Sequence, residues 1–253
     1  GGTEVTATAS SAMRVSSNGP QLVRDIFEQT GIQVEVIVGG REAELICKGI
    51  RRAVDLGPEP HLLMDVGGGS TEFIIANQTE IFWKRSFEIG AQRLLDKFFT
   101  PFDGIMPAAN VAAEREYLAG VLAPLTVAVA EFQPVGLVGA SGSFDTLADM
   151  QLGRVRTEAE MPPVSQLTLE KFQESLRHLL SLNHEQRVAL PGMFPMRADM
   201  LVVASVLTCI AAHRRRAGLA ITAALALLIP FVSKLWESGD AAASAKKSLD
   251  DWS

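Results

Sequence analysis

Leu62-Leu63-Met64-Asp65-Val66-Gly67-Gly68-Gly69-Ser70-Thr71-Glu72-Phe73-Ile74-Ile75 decides how the rest of the chain is read. Two apolar runs flank three consecutive glycines and two hydroxyl residues, the pattern of two strands joined by a turn. A hairpin turn needs only one or two glycines, so a third followed by Ser70 and Thr71 points to backbone amides left bare for an anion. Asp65 closes the first strand. A carboxylate there cannot pair with phosphate directly, but it can hold a Mg2+ that does. A lone glycine run is equally an ordinary tight turn, so the flanking chain must discriminate.

Upstream, residues 5–8 read as a strand, and Asn18-Gly19-Pro20 as a turn whose proline suits a first helical turn. Leu22, Val23, Ile26 and Phe27 follow at amphipathic spacing until Gly31, a C-terminal stop. Residues 34–38 form a second strand and 41–54 a second helix. Gly57, Pro58 and Pro60 make an exposed link, so the domain hinge is expected between 47 and 60. This divides the chain into a first domain at 1–48, a second at 49–235, and a disordered tail at 236–253.

Downstream, residues 80–89 read as a third strand, Gly90 opens a helix to Phe99, 101–107 is loop, and 112–132 is helical with a break at Pro124. Residues 136–147 read as an apolar strand running into a small-residue turn and then a helix, which presents helix N-terminal amides to an anion. It is not a nucleophile elbow, because Ser143 stands where G-x-S-x-G requires glycine. Residues 157–166 read as a polar surface excursion, 169–182 and 197–213 as helices, and 219–232 as a buried segment.

The chain of 253 residues is 47% hydrophobic, enough for a packed core. A net charge of −6 argues against general nucleic-acid binding, which needs a basic face. Cys47 and Cys209 show neither a disulfide framework nor zinc spacing, and His61, His178, His184 and His213 form no ligand set. No secretory leader opens the chain, and the apolar run at 219–232 is shorter than the roughly 20 residues a membrane span needs. A cytoplasmic protein without membrane or nucleic-acid partners is expected.

Several segments, in order, resemble the exopolyphosphatase and guanosine pentaphosphate phosphohydrolase (Ppx/GppA) family of the actin-like ATPase superfold. Ala9-Ser10-Ser11-Ala12-Met13-Arg14 with Asn18-Gly19 resembles its A-T-S-A-x-R…N-G segment, and Ile37-Val38-Gly39 with Glu42-Ala43 and Leu45-Ile46 its I-S-G-x-E-E-A-x-L-I helix start. Asp65 to Phe73 matches D-[IV]-G-G-G-S-T-E-[FL] throughout, residues 139–147 resemble G-[AS]-S-G-[ST]…L, and Gly192-Met193 with Arg197-Ala198-Asp199 resembles G-[ML]…R-A-D-M. The resemblance implies a ribonuclease H-like α/β fold of mixed sheets flanked by helices, with a partial first domain and a complete second. It places Glu42 on the carboxylate that orients or deprotonates the attacking water, Asp65 on the metal-holding aspartate with Glu72 behind it, and Gly67, Gly68, Gly69, Ser70 and Thr71 on the phosphate turn. Gly139, Ser141 and Gly142 would add to that site, and Arg14, Arg93 and Arg197 are candidates for a polyphosphate tail, since guanidinium forks suit phosphate oxygens.

The implied reaction is Mg2+-assisted hydrolysis of a terminal phosphoanhydride of inorganic polyphosphate or guanosine pentaphosphate, with a homodimer as the expected assembly. The rival is a non-catalytic nucleotide- or polyphosphate-binding protein of the same fold, and a kinase a weaker third. Three departures bear on the choice. The family's first phosphate loop, Asp-Leu-Gly-[ST]-Asn-[ST], is absent, so the phosphates' cleft between two domains would lack one wall here. Arg41 replaces the first of two glutamates. The family's closing V-S…[LY]-[KR]-E-G is replaced by Ile221-Thr222-Ala223-Ala224-Leu225.

Overall fold

The computed structural model describes residues 5–99, 104–153, 164–213 and 220–224. By contact the described residues fall into two compact units, one of residues 5–37 and the other of described residues between 38 and 224. The division falls just before the helix that follows the second strand.

In the first unit β1 (Ala7–Ala9) pairs in parallel with β2 (Val34–Val36), Ala7 opposite Val34 and Ala9 opposite Val36. A parallel pair needs a crossover, supplied by α1 (Ser11–Val15) and α2 (Gly19–Thr30). Pro20 lies in the first turn of α2, and Gly31 ends it at φ 71° with its N–H on the Phe27 carbonyl. Both strands are shorter than the sequence suggests, because only three residues of each find register partners.

The second unit is built on a six-stranded sheet of β3 (His61–Val66), β4 (Thr71–Ala76), β5 (Ile81–Phe87), β6 (Gly136–Ala140), β7 (Val164–Thr168) and β8 (Ala220–Ala224), ordered β5-β4-β3-β6-β8-β7. β3, β4 and β5 form an antiparallel meander, β6 and β8 continue parallel to β3, and β7 closes the edge antiparallel to β8. This is the mixed ribonuclease H-like sheet expected. Residues 164–166 are corrected from surface excursion to strand, since they pair with Gln166 opposite Thr222 and Val164 opposite Ala224, a partner far along the chain. Of the 219–232 stretch, β8 is strand; the remainder and the expected 236–253 tail lie outside the described residues.

Strand alternation sends side chains to both faces. Leu62, Met64, Val66, Phe73 and Ile75 join the main core with Leu94 of α4 (Ala91–Phe99), Leu118 of α5 (Ala108–Val121) and Leu125 of α6 (Ala123–Phe132). Phe144 of α7 (Gly142–Leu152), Phe172 of α8 (Leu169–Ser181) and Leu201 of α10 (Met200–His213) belong to the same core, and a short α9 (His184–Val188) precedes α10. Leu63, Ile74, Val138 and Ala140 face the other way, onto Ala43, Ile46, Cys47 and Ile50 of α3 (Gly39–Ala53). The Val38 N-cap of α3 makes no side-chain cap bond. Losing about 1 kcal/mol there is outweighed by about 1.5–3 kcal/mol for each fully buried aliphatic side chain, so packing holds α3. Among the described residues no helix is long and apolar enough to cross a membrane.

Glu114, on α5, is wholly buried, and neither carboxyl oxygen has a partner among the described residues. Burial pushes its pKa from an ordinary 4.5 up to about 8, with Arg115 opposing. The folded state holds this proton where the unfolded chain releases it, so the contribution to stability is complete below pH 4.5 and is lost as pH rises towards 8. Glu114→Gln is expected to match the unaltered protein near pH 4.5 and to exceed it increasingly at higher pH, by up to roughly 1.4 kcal/mol per pH unit. Urea unfolding at several pH values reads this, and a gap independent of pH would refute it.

Candidate phosphate site

The site begins with a helix whose first amides have no partner of their own. The α4 N-terminus takes them from the glycine turn: Ala91 N–H donates to the Gly67 carbonyl at 2.8 Å, Gln92 and Arg93 to Gly68 at 3.0 and 3.2 Å, and Gly90 to Gly69 at 3.1 Å. Gly67 N–H closes the turn on the Ser70 carbonyl at 3.0 Å. With the carbonyls thus turned inward, the N–H groups of Gly68, Gly69 and Ser70 meet no backbone acceptor among the described residues. That is the bare-amide turn the sequence suggests. The approach depends on Gly90, where a Cβ would lie 2.3 Å from the Gly68 carbonyl carbon and oxygen.

The turn is braced around its rim. Arg93 Nε donates to the Gly69 carbonyl at 3.0 Å and its Nη2 pairs with Glu88 at 3.2 Å. Its guanidinium thus supports the turn from outside. Ser70 and Thr71 are buried, and the Thr71 hydroxyl donates to the Ile89 carbonyl at 3.1 Å, so this side chain anchors the turn's return.

Asp65, two residues beyond Leu63, points to the α3 face, and Glu72 lies directly opposite it in register. Glu42 sits in the first turn of α3. Burial first, and then the Glu72 and Glu42 charges, together raise the Asp65 pKa to about 8. The three carboxylates therefore share one field. Ser86 Oγ donates to Glu72 Oε1 at 2.6 Å, fixing that side chain. Glu44 is different: hydrogen bonds from Lys84 and then Arg41 hold its carboxyl below the usual range, so it is neutralised within the fold.

Among the described residues no three His, Cys, Asp or Glu side chains form a ready metal cage. The donors still fit Mg2+. They are hard oxygens in an anionic pocket, Asp65 is only half-buried, and Mg2+ ordinarily takes one or two carboxylates plus water and substrate phosphate. Asp65 with Glu72 or Glu42 would hold it.

β6 lies beside β3, with Ala140 opposite Asp65, so the turn into α7 emerges at the same sheet edge as the glycine turn. Crevices beyond such strand ends are where open α/β sheets bind ligands. Ser141 has φ 102° and a buried Oγ without a partner among the described residues. Arg197 lies over Gly142, where a Cβ would fall 1.5 Å from Nη1, and its Cζ is 5.6 Å from the Phe194 ring centroid. Among the described residues Arg197 has no carboxylate partner. Gly139, by contrast, is a buried β6 residue whose Cβ would strike the Phe144 ring at 2.3 Å, so it serves packing rather than the turn. Arg14 belongs to the first unit, where Nη1 donates to the Ile37 carbonyl at 2.9 Å.

Sequence reasoning missed Gly90 as part of the site and Ser86 as the partner of Glu72. Gly90 was visible only as a helix start; its need for no side chain comes from Gly68, 22 residues earlier in the chain.

Fold and site together define a mixed α/β protein with a ribonuclease H-like sheet and a phosphate turn. Residues 1–215 match the Ppx/GppA phosphatase family, and the chain belongs to that family. It is similar to an exopolyphosphatase from Cytophaga hutchinsonii, with 41% identity and a TM-score of 0.80 over 88% of this chain and 71% of that one. The Ppx/GppA family member of Aquifex aeolicus shares the fold at 21% identity and a TM-score of 0.72, covering 93% of this chain and 75% of that one. A curated relative, the bifunctional 3-dehydroquinate synthase/phosphatase of Fusobacterium nucleatum, is 27% identical over 203 residues. The match covers 79% of this chain, which spans only 30% of that relative's length.

Gly90→Ala is expected to destabilise the second unit by about 1–3 kcal/mol, the usual cost of overpacking. Gly120→Ala, with nothing within 4 Å of its Cβ, should be neutral or stabilising. Urea midpoints decide between them; equal shifts would show that α4 does not press on the glycine turn.

Proposed function

We propose that the protein hydrolyses a terminal phosphoanhydride, with inorganic polyphosphate as the substrate class and guanosine pentaphosphate as a second candidate carrying the same anhydride. The observation that carries this reading is the Gly67–Ser70 turn, carbonyls held inward by α4 and amides outward, beside Asp65. Amides placed in this way stabilise charge on the transferred phosphoryl group without reorganising during reaction. Phosphoryl transfer asks little covalent chemistry of a protein; positioning and charge stabilisation dominate.

Within that reading the Gly68, Gly69 and Ser70 amides grip the terminal phosphoryl oxygens. Glu42, sharing the field of Asp65, accepts a proton from the attacking water and orients it. Arg197, over the start of α7, takes an oxygen of the next phosphoryl group. Bound Mg2+ would neutralise developing charge on the phosphoryl oxygens. The exopolyphosphatase from Cytophaga hutchinsonii supports polyphosphate as the first substrate to test.

Asp65→Asn is expected to abolish Mg2+-dependent phosphate release while leaving the fold intact, and an unchanged Mg2+ titration would remove Asp65 from the site. Glu42→Gln should lower turnover by roughly 10² or more with affinity nearly unchanged. Lost affinity at preserved turnover would make Glu42 a binding residue. Saturable polyphosphate binding without release by the unaltered protein would favour the non-catalytic binder.

A further inference from the structure

Residues 192–199 run back along α7 as a strap. At one end Gly192, with φ 82°, lies so close to the last turns of α7 that a Cβ would be 2.4 Å from the Asp149 carbonyl; at the other, Arg197 lies on Gly142. α7 has eleven residues, about 16 Å of helix, so the strap spans it from C-terminus to N-terminus. Its far end is held by a buried ion pair. Arg187 is wholly buried, and its Nε and Nη2 both donate to Asp199 Oδ1, at 3.1 and 2.9 Å. The rest of the guanidinium donates to the Leu182 carbonyl and, at 3.4–3.5 Å, to those of Gly104 and Leu179. The second Asp199 oxygen is 2.8 Å from His184 Nδ1. α9, which carries Arg187, starts with a capping box between Asn183 and Gln186, so the anchor is itself rigid.

We infer that Asp199, gripped by Arg187, is a positioning residue for the polyanion site: it fixes the Pro195–Arg197 turn so that the Arg197 guanidinium stays over Gly142 beside the glycine turn. Asp199 points to Arg187 and His184 rather than to substrate, and acts through Arg197. The ligand class it serves is a chain of two or more phosphoryl groups, because Arg197 lies one strand over from the turn that grips the terminal one. This rests on the phosphate-site reading above. A long arginine at an exposed turn would otherwise sample many rotamers, and the strap removes that freedom before binding.

The test measures binding of orthophosphate and of inorganic tripolyphosphate to the folded protein, with melting curves as a control. Arg197→Gln and Asp199→Asn are both expected to weaken tripolyphosphate by about tenfold or more, the scale of one charge-assisted hydrogen bond, and to leave orthophosphate unchanged. The double variant should be no weaker than Arg197→Gln alone, since both act through one contact. If Asp199→Asn does not fold, Arg187→Lys replaces it; it keeps the buried charge but loses the two-point grip, and the same selective loss is expected. A folded Asp199→Asn or Arg187→Lys with unaltered tripolyphosphate affinity, or with equal losses for both ligands, overturns the positioning role. If Arg197→Gln alone has no effect, Arg197 is not a ligand and the inference falls with it. If the unaltered protein binds neither ligand, the phosphate-site reading itself falls.

Discussion

The arrangement of the second unit depends on one exchange of hydrogen bonds: the N-terminal amides of α4 are satisfied by the carbonyls of Gly67, Gly68 and Gly69. A helix start needs acceptors, and an anion-binding turn needs its own carbonyls out of the way. The same bonds meet both needs. They require backbones in van der Waals contact, which only Gly90 permits. α4 in turn buries Ala91, Leu94 and Phe99 in the main core, so the attitude of the turn is inherited from the packing of a helix rather than from turn propensity.

The sheet then sorts the charges. Alternation along β3 puts Leu62, Met64 and Val66 into the main core and leaves Leu63 and Asp65 facing α3. Asp65 therefore shares a field with Glu72 across the hairpin and Glu42 on α3, and its pKa rises because burial and two like charges act together. Glu44, only two residues from Glu42, meets Lys84 and Arg41 instead and moves the opposite way. Reactive groups are often found where neighbouring environments separate in this manner.

The buried Arg187–Asp199 pair belongs to a different economy. Burying an ion pair yields little net stability, yet removing one partner leaves a charge stranded at a cost of about 3–5 kcal/mol. Such a pair specifies geometry more than it strengthens the fold. Here every donor of Arg187 is directed at a named acceptor on α8, on Leu182 just beyond it, on the loop at Gly104 or on Asp199, and the strap carrying Arg197 is set accordingly.

The local string from Leu62 to Ile75 determined a great deal by itself. Its two apolar runs encoded β3 and β4, its surplus glycines encoded an amide-lined turn, and proline and glycine punctuation placed α2, the break between α5 and α6, and the entry to α7. These signals are local, resting on φ preferences, periodicity and hydrogen-bonding capacity within a few residues. What tertiary structure alone decided is non-local. β7 is a strand because β8 lies beside it; Gly139 serves packing because Phe144 fills its space; Thr71 turns inward to Ile89. Likewise Arg197 is set over Gly142 by a strap tied to Arg187, and Gly90 is required by a backbone that reaches it only after folding. Residue types and spacing encode which groups are able to bind a phosphate, but which of them meet is settled by packing between segments far apart in the chain.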